Sequence, residues 1–324
     1  MAIFRLQVTS ITREDDRSSV GAAAYRAGEK LRDDRTNELY NHSRRRDVSH
    51  SEILLPAGLA GQNMEWASNR ASLWNSVEQA ETRKNARVAK EIEVTLPHEL
   101  PAERRLALAR SFSQEVADHY RVAVDLAVHE PRPAGDPRNH HAHLLLTTRE
   151  VSPAGLGPKA GLDMSIAERA RLGLPNMSQE FTALRARWAT LTNEALKAAN
   201  IEARVDHRSL AEQGVDREPR PHIPFAAHKI ERAGKYSDVA ASIRADYEVR
   251  VQERAARSAA VMAHSASEAT AARDPAVPTP RTLEDVRRAA RENWLKIRAQ
   301  RGMQSTAASA GLSASRSPDD DHQP

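Results

Sequence analysis

The stretch that most restricts this chain is Asn139-His140-His141-Ala142-His143-Leu144-Leu145-Leu146, three histidines within four residues at the head of an apolar run. Successive side chains of an extended strand alternate faces, so His141 and His143 share one face while Ala142, Leu144 and Leu146 take the other. The fold must therefore contain a half-buried strand whose second face is polar. Two imidazoles side by side on such a face invite a metal, and His129 lies twelve positions before His141.

The flanking segments alternate in the same sense. Over Val122 to His129, Val122, Val124, Leu126 and Val128 make an apolar face and leave Asp125, Ala127 and His129 on the other. Over Ala89 to Pro97, Ile92, Val94 and Leu96 oppose Glu91, Glu93 and Thr95, and Pro97 ends the strand. Phe4, Leu6 and Val8 mark a further half-buried strand over Ile3 to Thr9. The Pro- and Gly-containing connection Glu130 to His140 suits a long hairpin, which makes the two histidine-bearing strands antiparallel neighbours. Glu91, Glu93, His129, His141 and His143 then collect on one side of one sheet. The competing reading is a set of solvent-face histidines, since the chain has 13 in all; agreement of the alternation across three strands weighs against it. His140 has the opposite parity and is not assigned as a ligand.

Helices flank these strands. Alanine-rich Val20 to Leu31, after a cap at Ser18 or Ser19, carries Tyr25. One long helix is expected over 64–84, with Trp66, Leu73, Trp74 and Val77 as its apolar stripe and Glu65, Arg70, Glu78 and Arg83 on its wet side. Pro101 opens another over 102–118, and Ser178 to Asn200 forms a third with Phe181, Leu184, Trp188 and Leu191 inward. Leu39 to His50, containing Arg44-Arg45-Arg46, has no apolar period and reads as a surface loop, either a solvated charge cluster or a phosphate contact. Ser152 to Gly161 reads as a mobile loop, and Asp206-His207-Arg208 either anchors structure or reaches the site. The expected architecture is α+β, an antiparallel sheet with flanking helices followed by a helical and disordered C-terminal tail. Its domains are 1–222 as the compact domain, 223–303 as a helical extension with an Ala/Ser/Pro-rich linker, and 304–324 as a disordered tail.

The absence of cysteine excludes disulfides, thiolate-bound zinc, iron-sulfur clusters and thiol nucleophiles, so a metal must be held by His, Asp or Glu. No stretch approaches the roughly 18 to 20 apolar residues of a membrane span, and the N-terminus lacks an apolar leader, so a soluble, cytoplasmic protein without membrane insertion is expected. With 48 Lys+Arg and a formal net charge of +4, a local positive face for nucleic acid is permitted. Three imidazoles leave coordination positions open for a substrate oxygen. Imidazole suits Zn, Cu, Fe or Ni, whereas phosphate chemistry commonly uses Mg or Mn, and the metal stays open. A reaction at phosphorus needs a nucleophile, and Tyr25 stands out because its small helical neighbours let a large substrate approach the hydroxyl. A free phenol titrates near 10, so a base or nearby cation must assist it.

Together these residues resemble the MobA/MobL family of plasmid mobilisation relaxases. The matching pieces are Ala22-Ala23-Ala24-Tyr25-Arg26-Ala27-Gly28-Glu29-Lys30; Leu73-Trp74-Asn75-Ser76-Val77-Glu78 leading into Asn85 to Pro97; His129; His141-Ala142-His143-Leu144; and Asp206-His207-Arg208-Ser209-Leu210. The resemblance implies a palm-like antiparallel sheet and an enzyme that nicks one DNA strand at an origin of transfer, remaining joined to the new 5′ end. It places Tyr25 as nucleophile, His129, His141 and His143 as ligands of a divalent ion such as Mg or Mn, and Glu91 and Glu93 as assisting carboxylates. Which of the two carboxylates assists is left undecided. Arg44, Arg45, Arg46, Arg83, Lys84 and Arg87 are candidates for the DNA track, and the helix over 178–200 for a cover on bound single strand. Relaxosome accessory proteins and a coupling protein are the implied partners. A rolling-circle replication initiator and a non-catalytic DNA-binding accessory protein are the alternatives.

Overall fold

The computed structural model describes residues 2–271 apart from Asp16 and Ala134, together with Arg287, Arg288, Arg291, Glu292 and Lys296. The chain divides into two compact units, Met1–Asp216 and Arg217–Pro324. In chain order the first unit runs β1 (Leu6–Thr12), α1 (Ser19–Ala27), β2 (Lys30–Asp33), β3 (Glu38–Asn41), β4 (Val48–Leu54), α2 (Glu65–Ser68) and α3 (Arg70–Ala80). It continues with β5 (Arg87–Thr95), α4 (Ala102–Tyr120), β6 (Val124–His129), β7 (His141–Leu146), β8 (Arg149–Ser152), β9 (Gly155–Lys159), α5 (Ile166–Arg171) and α6 (Met177–Ala198). The second unit contains α7 (Phe225–Arg232) and α8 (Asp238–Ala271).

The α+β expectation holds. Five strands form one antiparallel sheet in the order β1-β5-β7-β6-β4. One face carries Ile92, Val94, Leu126 and Leu144, buried beneath α4 and α6 through Phe112 and Trp188, whose rings lie 5.0 Å apart. The opposite face is divided along the strands. Ala89, Ala123 and Leu145 pack against α1 and α3 through Val20, Ala24, Leu73 and Trp74, while the other end bears the histidines. Each buried Leu or Val is worth about 1.5–3 kcal/mol. A one-residue slip would turn every one of them to the wrong side, so the hydrophobic alternation pins the register that places the site.

Several expectations are corrected. Leu39 to His50 is a loop only over 42–47, which includes Arg44-Arg45-Arg46: its ends are strands, β3 pairing with β2 and β4 pairing with β6 as the sheet's edge. An edge strand needs one ladder and only partial cover, so Val48-Ser49-His50-Ser51-Glu52-Ile53-Leu54 shows little apolar period. The helix over 64–84 is broken at Asn69, which leaves helical geometry and caps α3 by accepting from the Ser72 N–H. Glu78 and Arg70 are not on a wet side: Glu78 is 1% exposed and Arg70 is bonded to the buried Asp125. The segment over 152–161 contributes to a β8–β9 hairpin turning at Gly155, whose φ of +111° suits glycine. Asp206-His207-Arg208 serves as an anchor: Arg208 folds back on Asp206, and Arg185 of α6 donates to the His207 carbonyl. The tail over 304–324 lies outside the described residues. Among the described residues, no helix is long and apolar enough to cross a membrane.

Candidate active site

The site begins with the way α1 is held. Ser18 caps it by accepting from the Val20 and Gly21 N–H groups and donates to buried Asp33 at 2.6 Å. Glu78 accepts from both the N–H and the hydroxyl of Ser19 at 2.7 Å, putting a carboxylate at the positive end of the helix dipole. Arg13 donates to the second Glu78 oxygen at 2.6 Å. Gly21 allows the Tyr40 ring to lie so close that a Cβ would sit 2.9 Å from it. Gly28, in the left-handed region at φ +69°, ends the helix. Buried Ala23 and Ala24 press α1 against the sheet, leaving Tyr25 41% exposed near the C-terminal end.

The next residue, Arg26, joins this helix to the histidines. Its carbonyl accepts from His129 Nε2 at 2.8 Å, and its guanidinium bonds both Glu91 oxygens, with Nη2 at 2.6 Å from Oε2. His129 stands directly opposite His141 in the β6–β7 ladder, and His143 opposite Glu93 in the β5–β7 ladder. The three rings pack with centroids 4.7–5.2 Å apart. One potential ligand atom from each lies within 4.8 Å of the others.

Acceptor chemistry sets the tautomers. The Asn139 carbonyl can only accept, so His141 Nδ1, 2.9 Å away, carries the proton, as does His129 Nε2 facing Arg26. His143 Nδ1 donates to Glu91 Oε1 at 2.7 Å. Lone pairs remain on Nδ1 of His129 and on Nε2 of His141 and His143, each braced through its other nitrogen as metal-binding imidazoles are. Burial pushes the His129 imidazole down to about 3 and also lowers His141, so both stay neutral and available to a cation at ordinary pH. Burial pushes the Glu91 carboxyl up, but hydrogen bonds from His143 and Arg26 outweigh it and hold it well below the usual carboxylate range. These residues fit a divalent cation with three protein ligands and open positions.

Tyr25 is surrounded by cations. Arg132, from the β6–β7 connection, donates to its hydroxyl at 3.3 Å. Arg45 stacks on its ring with Cζ 4.1 Å from the centroid and donates to its carbonyl at 2.6 Å. Asp47 ties the two arginines together, bonding Arg45 at 2.6 and 2.9 Å and Arg132 at 3.4 Å.

The fold thus brings together His129, His141, His143 and Glu91, with Tyr25 one residue from the Arg26 that contacts two of them. Glu93 faces Arg5 at 3.3 Å. His140 turns away to Glu130, 2.7 Å distant. Arg44 and Arg46 are exposed, while Arg45 is committed to Tyr25 and Asp47. Arg83, Lys84 and Arg87 lie at the far end of β5 from the histidines, and Arg87 is bound to Asp163 at 2.7 Å. Sequence reasoning missed Arg26, Arg132 and Asp47. Arg26 lies beside Tyr25 in its motif, but no spacing signals its reach to Glu91, 65 positions on.

A sequence profile described as the MobA/MobL family matches residues 17–233. The chain is 37% identical over 282 residues to "Mobilization protein MobL" of Acidithiobacillus ferridurans, covering 80% of this chain and 71% of that protein. It is 30% identical over 270 residues to "Probable mobilization protein MobA" of Bifidobacterium longum, covering 74% and 46% respectively. A solved structure described as "Molecular Basis of Vancomycin Resistance Transfer in Staphylococcus aureus" superposes with a TM-score of 0.55 at 27% identity, covering 64% of this chain and 100% of that one.

Proposed function

This chain belongs to the MobA/MobL family, and on that premise we propose that it is a DNA relaxase that nicks one strand at a plasmid origin of transfer and rejoins it after transfer. The observation that carries the reading is the joining of two halves of a site through one residue: Arg26 bonds His129 and Glu91, and its neighbour in α1 is the exposed Tyr25.

His129, His141 and His143 would hold a divalent ion, which when bound would supply charge neutralisation at the scissile phosphate. Glu91 and the Asn139 carbonyl brace His143 and His141 through Nδ1 and leave Nε2 free as the ligand atom, whereas the Arg26 carbonyl braces His129 through Nε2 and leaves Nδ1 free. Tyr25 Oη attacks the phosphorus, the tyrosyl O–P bond forms and the P–O3′ bond breaks. The phenolic proton passes to solvent and the 3′ oxygen takes one up. Arg132 lies against the attacking oxygen, where a fixed guanidinium favours the negative charge that develops in the attack. Arg45 holds the ring from its face. The tyrosyl ester keeps a phosphodiester-like bond, so the 3′-hydroxyl can attack it in the reverse direction and reseal the strand.

The test is incubation with labelled single-stranded origin DNA and Mn2+, followed by denaturing electrophoresis. A covalent protein–DNA adduct that disappears in Tyr25→Phe is expected. No adduct with the unaltered protein overturns the enzymatic reading, and an undiminished adduct in Tyr25→Phe overturns the assignment of the nucleophile.

A further inference from the structure

Far from the histidines, the loop between α3 and β5 meets β8, β9 and the turn after β9 around a cavity of about 460 Å³. Its charged lining is Glu81, Arg83, Arg87, Arg149, Lys159 and Asp163, four cations against two carboxylates. We propose that this cavity is a second phosphate-binding site, which grips a backbone phosphate of the DNA strand engaged at the histidines. The proposal rests on the reading of the chain as a DNA-strand transferase.

The ion pairs inside the cavity position its cations without using up their charge. Glu81 Oε1 accepts from Lys159 at 2.7 Å and Arg149 at 2.8 Å. Asp163, 3% exposed, accepts from Arg87 at 2.7 Å and forms an ion pair with Lys159 at 2.9 Å. Glu81 is thus shared between two cations and Asp163 among three, the third being Lys90 at 3.9 Å, and Lys159 spans both carboxylates. Arg83 is exposed, and its guanidinium has no ion pair among the described residues. The lining therefore keeps a surplus of positive charge facing open space, and two of its arginines, Arg87 and Arg149, are held by carboxylates with N–H groups to spare for an anion. The carbonyls at the end of α3 would repel an anion, but Arg13 already covers them, donating to the Glu81 and Glu78 carbonyls.

Distance separates this site from the catalytic one. Arg87 is the first residue of β5, and Glu93, opposite His143, is six residues along the same strand. At about 3.3 Å per residue the separation is about 20 Å. The Debye length at physiological ionic strength is about 8 Å, so these cations are screened from a phosphate at the histidines. A phosphate that uses them must be a different one, farther along the strand.

The test measures binding of the full chain to origin single strands shortened one nucleotide at a time from either end, by fluorescence anisotropy at several salt concentrations. The expected result is a discrete, several-fold loss of affinity when one end is cut back past a set length, well beyond the nucleotides at the nick. The magnitude of the salt slope should fall by about 0.7 at that length, as for one lost phosphate contact on a single strand. Arg83→Ala, which breaks no ion pair, and Lys159→Gln should each shrink the step. A smooth length dependence, or a step kept in full by both variants, overturns the proposal. Calorimetry with pyrophosphate alone separates the sources of phosphate: binding tighter than the contribution of the DNA step reassigns the cavity to a free phosphorylated ligand. Covalent adduct formation is scored on the same strands, so the two readings fail separately. An adduct without a length step removes only the second site, and a length step without an adduct removes only the nicking reaction.

Discussion

Glu91 Oε1 accepts a 2.7 Å hydrogen bond from His143 Nδ1, while Arg26 holds the same carboxylate from α1. One side chain thereby orients a metal-competent imidazole and locks the helix carrying Tyr25 to the sheet. Removing its charge should loosen the ligand set. Glu91→Gln is expected to weaken Mn2+ binding by about 10–100-fold, the usual effect of losing a partner behind a ligand, measured by isothermal titration. Glu93→Gln, whose carboxylate meets Arg5, should leave the affinity within about twofold. The reverse ordering would exchange their roles.

The donor set also ranks the ions. Three imidazoles are softer than the all-oxygen shells that Mg2+ prefers. After chelation, adduct formation should return with Mn2+ at lower concentrations than with Mg2+. Equal restoration by the two ions at equal concentration would show that imidazole coordination does not limit the reaction.

Arg132 donates to the Tyr25 hydroxyl from a loop that has no other catalytic group assigned to it. Arg132→Ala should slow adduct formation by about 10²-fold, a typical loss for one donor at a developing negative charge. Arg132→Lys should recover part of the rate, and DNA affinity should change far less than the rate. An unchanged rate in the alanine variant would leave Tyr25 activated by other means.

Buried Asp125 accepts from Arg70 Nε and Nη2 at 2.8 and 2.9 Å and from Trp74 Nε1 at 2.9 Å. Asp125→Ala strands the Trp74 indole N–H between α3 and the sheet and leaves Glu29 as the remaining ion-pair partner of Arg70. A loss of about 3–5 kcal/mol is expected in urea unfolding, as for other broken buried pairs. A loss below about 1 kcal/mol would show that water repairs the gap.

Acid should undo the clamp on Tyr25 in a defined window. The hydrogen bond from Arg45 holds the Asp47 carboxyl well below its ordinary value of 3.8, against the opposing effect of burial. A lowered folded-state value means that the unfolded chain takes up the proton first as pH falls. The stability contributed by Asp47 is therefore complete above about pH 3.8 and shrinks below it. The difference in unfolding free energy between the natural protein and Asp47→Asn should be on the order of 1–2 kcal/mol at neutral pH. It should narrow as the pH drops below 3.8. A difference that stays constant through that range would separate Asp47 from the stability of the clamp.

The sheet's two faces and the membership of the histidine cluster are legible in the local residue pattern. Period-two alternation decides which side chains share a face, and burial of Ile92, Val94, Leu126 and Leu144 forbids a one-residue slip. His129, His141 and His143 could be grouped, and His140 set aside, from parity alone. What parity cannot carry is anything that depends on the approach of one element to another. The edge strand β4 was hidden because its stability comes from the backbone ladder with β6 and not from a side-chain pattern. Glu78 and Arg70 read as surface charges on a helix, and only the packing of α3 against α1 and the sheet supplies the buried partners that hold them inside. Glu91 and Glu93 occupy equivalent positions in a strand pattern. They are told apart only by what faces them, His143 and Arg26 for one and Arg5 for the other. The cations around Tyr25 likewise come from separate segments, Arg45 lying 20 positions from it and Arg132 107. Local sequence encodes periodicity. Long-range pairing of charges is settled by the tertiary fold, because desolvation makes each buried charge depend on the particular partner brought within reach.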